Sequence, residues 1–194
     1  LFAHAVDLLV RFQLAGAHHP DPTCCAFRRH FDGALAHAQL EHFLDHGIEP
    51  RPRQVRAAPV RAAMLDALAA VEAPFRTAPP VLAHRDFMAW NLHLQPDGQH
   101  DRLRLIDFQD ALMAPDAYDL AALLTDRHTP ALITPDREAA LIARFVAARR
   151  DAGLPVPDDL PARYRRCALH RALKVIGRFY FLEVVKGKPG YLAY

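Results

Sequence analysis

The chain has 194 residues, enough for one domain with a sizeable core, and its net charge of +2 is too slight to draw a nucleic acid or an anionic membrane surface. Its three cysteines, Cys24, Cys25 and Cys167, are odd in number with two adjacent. That argues against a disulfide framework and makes a reducing, cytoplasmic setting the expectation. No apolar run approaches the ~18 residues that cross a bilayer. The opening Leu1-Phe2-Ala3 lacks both an initiator Met and the layout of a signal peptide, so the sequence reads as beginning inside a longer protein.

Phe2, Val6, Leu9 and Phe12 share one face of a helix expected over 2–14, before Gly16 and a His-His-Pro-Asp-Pro run make 16–24 a loop. A second helix is expected over 34–46, stopped by Gly47. The proline-rich stretch 50–59 reads as a connector. A third helix fills 60–72, ahead of Pro74 and the Pro79-Pro80 pair. Residues 81–83 form a short strand. Two more strands, 92–95 and 103–106, flank the turn chemistry of Pro96-Asp97-Gly98. Pro115-Asp116 should open a helix to about residue 127, since proline suits the first turn and aspartate the positive end of the dipole. Further helices are expected over 136–151 and 160–185, the last with Leu169, Leu173, Ile176, Tyr180 and Val184 as its apolar stripe. The fold class is therefore mainly α, an α+β chain whose small hairpin follows a polar loop.

That loop carries the chemistry. Residues 84–91 read His-Arg-Asp-Phe-Met-Ala-Trp-Asn, fitting H-R-D-x-x-x-x-N, the catalytic loop of phosphoryl-transfer enzymes. Asp107 then ends the second hairpin strand. Antiparallel pairing would bring Asn91 and Asp107 together at the hairpin's open end. Asp86 would take the proton of an attacking hydroxyl, while Asn91 and Asp107 would offer two hard oxygens to Mg²⁺. His84 would brace the loop through its ring nitrogens, and Trp90 and Phe87 would anchor it by packing. The bland alternative is a polar loop with a chance match. The run of strand, loop, hairpin, aspartate and helix favours the catalytic reading. Asp107-Phe108 is followed by Gln109, with no long segment to dock a peptide, so the acceptor should be a small molecule.

The phosphate-covering glycine loop and the strand lysine of the kinase template are missing: Lys174, Lys186 and Lys188 are the only lysines and all lie far downstream. The simplest account makes residues 1–194 the C-terminal, catalytic and acceptor-binding lobe, with a nucleotide-clamping N-terminal lobe outside this chain. Such a fragment alone should turn over poorly.

His84 to Asn91, the string Leu105-Ile-Asp-Phe-Gln-Asp-Ala-Leu112 and Ala114-Pro-Asp-Ala-Tyr-Asp-Leu120 resemble the aminoglycoside phosphotransferase superfamily of small-molecule kinases. The bacterial kinases of N-acetylmuramate and N-acetylglucosamine are the most similar group. His170-Arg-Ala-Leu-Lys174-Val-Ile-Gly177 and Gly187-Lys-Pro-Gly-Tyr-Leu192 also resemble segments of that group. The resemblance implies a kinase-like lobe, ATP and Mg²⁺ as cofactors, Asp86 as base, Asn91 and Asp107 as metal ligands, and Asp119 as a buried brace for the loop. A first-turn helix carboxylate is the competing reading of Asp119. His170 stands where the group usually has glutamine, and His46 where tryptophan is expected, both in segments expected to face the acceptor. His170 and Lys174 belong to a basic stripe with Arg163, Arg166 and Arg178 that could meet an acceptor carboxylate, or could simply be a solvated face. His42 and His46 lack the Glu and third ligand of a zinc site. An aminoglycoside, choline or homoserine is the alternative acceptor, and a non-catalytic kinase-like binding module the alternative function.

Overall fold

The computed structural model describes residues 1–48, 58–97, 100–129 and 131–193. Helices dominate, with two small antiparallel sheets. In chain order the elements are α1 (Phe2–His18), α2 (Cys25–Arg28), α3 (Gly33–His42), α4 (Ala58–Thr77), β1 (Pro80–Ala83), β2 (Leu92–Asp97), β3 (His100–Leu105), β4 (Leu112–Pro115), α5 (Tyr118–Leu124), α6 (Pro135–Asp151) and α7 (Leu160–Tyr180). Wide π-type turns extend α3 over Phe43–Gly47 and α7 over Phe181–Val185.

The chain forms two compact units, one of residues Leu1–His30 with Ala78–Arg165, the other of Phe31–Thr77 with Arg166–Tyr194. In the first, α1 buries Phe2, Val6 and Leu9 as its periodicity demands. It runs a turn further than expected because Gly16 meets β1 closely: a Cβ there would lie 2.5 Å from that of Leu82. β1 pairs with β4, Val81 opposite Ala114, and α5 is buried along its whole length. The hairpin β2–β3 pairs Leu92 with Leu105. In the second unit, Phe43, Leu44 and Ile48 form a cluster against Met64, Leu65, Leu68 and Leu173.

Several expectations are corrected. Pro115 does not open a helix; it closes β4 opposite Pro80, and α5 starts at Tyr118. Asp116 does not sit in a helix dipole but is buried, 3.1 Å from Arg163 and 3.7 Å from Arg149. Two guanidiniums and the Gln13 amide, which donates to the Asp116 carbonyl, outcompete a solvated cap. α4 continues through Pro74 to Thr77, because Val71, Pro74 and Phe75 on one face are buried and tertiary packing outweighs the lost hydrogen bond. The apolar stripe given to α7 is largely exposed at Leu169, Ile176 and Val184; the positions it buries include Leu160, Tyr164, Cys167 and His170. The basic stripe is not one solvated face either, since Arg163 and His170 are buried. The connector at 50–59 falls mostly on residues outside those described, as does Gly98 of the expected hairpin turn.

Candidate active site

The loop after β1 is shaped by backbone contacts. Arg85 adopts a left-handed φ of 78°, which an L-residue takes at a cost of roughly 1–2 kcal/mol. That turn aims two successive amides the same way: His84 N–H donates to Asp119 Oδ2 at 2.6 Å and Arg85 N–H to Asp119 Oδ1 at 2.9 Å. Asp119 is fully buried on α5. Beyond Asp86 the chain folds back on itself. Asn91 Nδ2 donates to the Asp86 carbonyl at 2.8 Å and Met88 N–H to the same oxygen at 2.9 Å. With its amide nitrogen so engaged, Asn91 has Oδ1 as the atom with which to ligate. Asp86 and Asn91 are both partly accessible, while Phe87 between them in sequence is fully buried.

The hairpin joins this loop to Asp107. The Ile106 N–H donates to the Asn91 carbonyl at 3.1 Å, which carries the ladder one step past Leu92 and Leu105. His84 adds a second link through Nε2, which donates to the Ile106 carbonyl at 2.9 Å. Burial pushes the His84 pKa down, against the raising effect of that hydrogen bond and of the Asp86 and Asp107 charges. The ring is therefore a neutral strut between the two halves. Asp107 takes a left-handed φ of 69°, a conformation aspartate tolerates, and its carboxylate is exposed. Gln109 Nε2 donates to Asp107 Oδ1 at 2.8 Å, which fixes the carboxylate and leaves Oδ2 for another partner.

Sequence reasoning missed three contributors here. Arg29 donates from Nη1 to the Gln109 carbonyl at 3.3 Å and pairs with Asp110 at 3.4 Å, and its own carbonyl accepts from Met113 N–H. Asp110 also lies 3.8 Å from Arg85. Arg29, Asp110 and Gln109 thus clip the turn after Asp107. The Q-D pair following Asp-Phe was the available signal, but nothing local pointed to Arg29. Trp90 was expected to anchor the loop by packing, yet it is 62% exposed. His170 and Lys174 lie in the second unit. His170 is fully buried, its ring 5.7 Å from Phe31 and 4.5 Å from Phe75, with Nε2 donating to the Ala36 carbonyl; Lys174 is partly buried. His42 and His46 pack against each other and against Phe181 in tilted and edge-on arrangements.

Among the described residues, no group of three or more His, Cys, Asp and Glu side chains is placed to hold a metal ion. One amide oxygen and one carboxylate suit a hard cation that keeps waters and takes its other ligands from phosphates. Among the described residues no helix is long and apolar enough to cross a membrane.

A mainly helical chain with this loop and hairpin has the form of a phosphotransferase. The profile of the phosphotransferase enzyme family matches residues 1–165, and the chain belongs to that family. It is similar to the N-acetylmuramate/N-acetylglucosamine kinase of Neisseria meningitidis serogroup B, 39% identical over 123 residues, 61% of this chain and 34% of that protein. The enzyme of the same name from Caulobacter vibrioides is 36% identical over 113 residues, covering 57% and 30%. That from Pseudomonas putida is 29% identical over 196 residues, covering 99% and 54%. The chain thus spans from under a third to about half the length of these curated relatives.

Proposed function

We propose that this chain is the catalytic and acceptor-binding part of an ATP- and Mg²⁺-dependent kinase that phosphorylates a hydroxyl of an N-acetylated amino sugar. Membership of the phosphotransferase family and the activity named for three relatives support the reading. The single observation that carries it is the joining of Asp86, Asn91 and the Asp107 turn by direct hydrogen bonds.

Phosphoryl transfer asks the protein mainly for positioning and charge compensation. Asp86 is the base that accepts the proton of the attacking hydroxyl. Asn91 and Met88 both donate to its backbone carbonyl, which fixes the turn that carries the carboxylate. Asn91 Oδ1 and Asp107 Oδ2 are the atoms that would hold Mg²⁺, which when bound neutralises phosphate charge. Gln109 keeps Asp107 in one orientation, and Asp119 and His84 hold the loop and hairpin in register. The glycine loop and strand lysine of the kinase template are assigned to a nucleotide-clamping lobe in cis.

The test is the protein in its full coding frame, screened for ATP-dependent transfer to N-acetylmuramate, N-acetylglucosamine, kanamycin and choline. Asp86→Asn should lower kcat by about 10²- to 10⁴-fold. Asp107→Ala should abolish most activity and raise the Mg²⁺ concentration needed for the rest. Undiminished turnover in Asp86→Asn would remove the base assignment, and transfer to kanamycin alone would replace the amino sugar by an aminoglycoside.

A further inference from the structure

We infer that Trp90 is the platform for the acceptor's sugar ring and that Arg127 beside it selects for an acidic substituent, an assignment that rests on the amino-sugar kinase reading. Trp90 sits between Asp86 and Asn91, inside the segment closed by the Asn91 to Asp86 hydrogen bond. The short 3₁₀ turn Ala89–Asn91 and the Asn91 N–H to Met88 carbonyl bond fix its backbone. The indole and the Asp86 carboxylate are therefore carried by one short, closed loop.

The side chain is held yet open. The His128 ring meets the indole edge-on, centroids 5.2 Å apart and planes at 72°. His128 Nε2 accepts from Arg127 Nε at 3.0 Å, and the Arg127 amide is tied to Asp126 Oδ1. Trp90, His128 and Arg127 thus form one row in the first unit, leaving the indole 62% exposed. Tryptophan, with a large apolar body and a polar N–H, is a side chain that recognition sites favour. The negative π-face suits a pyranose ring, whose C–H bonds, polarised by neighbouring oxygens, carry slight positive charge. The guanidinium at the end of the row suits a carboxylate. N-acetylmuramate differs from N-acetylglucosamine by a lactyl ether that ends in one. The indole would serve both sugars, and Arg127 would favour the acidic one.

Steady-state kinetics on the full-length protein separate these roles. Trp90→Ala should raise KM for both sugars by about five- to tenfold while KM for ATP stays within about twofold, and Trp90→Phe should recover most of the loss. Arg127→Ala should raise KM for N-acetylmuramate roughly tenfold and leave N-acetylglucosamine little changed. Thermal melts of each variant show whether the fold is intact. An increase in KM for ATP alone after Trp90→Ala would assign the indole to the nucleotide side and overturn the platform. Unchanged KM values for both substrates would overturn it too. Equal effects of Arg127→Ala on the two sugars would remove the selectivity role. A wild-type enzyme that transfers to no amino sugar defeats the amino-sugar reading first, and this inference with it.

Discussion

Asp119 uses both carboxylate oxygens to hold the amides of His84 and Arg85, so its contribution goes beyond charge. It fixes a left-handed turn that the chain would otherwise abandon. Asp119→Asn keeps the shape but turns one acceptor into a donor, leaving a buried amide facing an N–H. A loss of about 1–3 kcal/mol follows. In the full-length enzyme kcat should fall further than KM rises, because the loop carrying Asp86 loses its geometry. Denaturant melts and initial rates check both, and wild-type values in the variant would show that the turn holds itself. This contact was only half legible in the sequence. The H-R-D-x-x-x-x-N spacing is local and could be read directly. The partner of its backbone lies 34 and 35 residues away, and an aspartate in the first turn of a helix looks the same whether it serves its own helix or a distant loop. Arg29 was illegible for the same reason, since its partners Gln109 and Asp110 are 80 and 81 residues on.

At the level of elements, pattern reading placed α1 and α6, where burial follows a single period, and turn residues placed the hairpin. It failed where one face is decided by another element. The apolar residues of α7 drew the eye to Leu169 and Ile176, but the helix buries Cys167, His170 and Gly177. Gly177 explains why. A Cβ at this position would lie 2.6 Å from Phe43 Cα and 3.1 Å from Phe43 N, both backbone atoms that cannot step aside. The second unit brings α7 against the turn after α3 at backbone distance, which a small residue permits and a leucine stripe would forbid. This gives a test of sign. On helix propensity alone Gly177→Ala should stabilise by about 1 kcal/mol. The close approach instead predicts destabilisation by about 1–3 kcal/mol through overpacking, read from urea midpoints. A more stable variant would mean that the two segments can part at little cost.

Across the whole molecule, each unit is pinned by polar groups as well as by apolar burial, and the pins respond differently to pH. In the first, Asp116 is shared by two buried arginines. In the second, burial would raise the Glu72 carboxyl, but hydrogen bonds from Arg76 and His37 win and hold it below its usual value. Nearby, burial pushes His170 down to about 4, outweighing its hydrogen bond to the Ala36 carbonyl; Lys174 lowers it further and Glu72 opposes. His170 is neutral in the folded chain, while in the unfolded chain it protonates near its usual ~6.5. The unfolded state therefore binds more protons between about pH 6.5 and 4, and stability falls as the pH drops through that window. The loss is roughly 2 kcal/mol by pH 5. Glu72 acts lower, its stabilisation fading as the pH falls below its ordinary range. His170→Gln separates the two, because glutamine can still donate to the Ala36 carbonyl but cannot titrate. Urea unfolding at pH 7 and pH 5 should show a much smaller drop in the variant, with a remainder from His84, which burial also lowers. Equal drops in both proteins would mean that His170 does not meet its proton in this window, and that its enclosure by Phe31 and Phe75 is looser than the packing indicates.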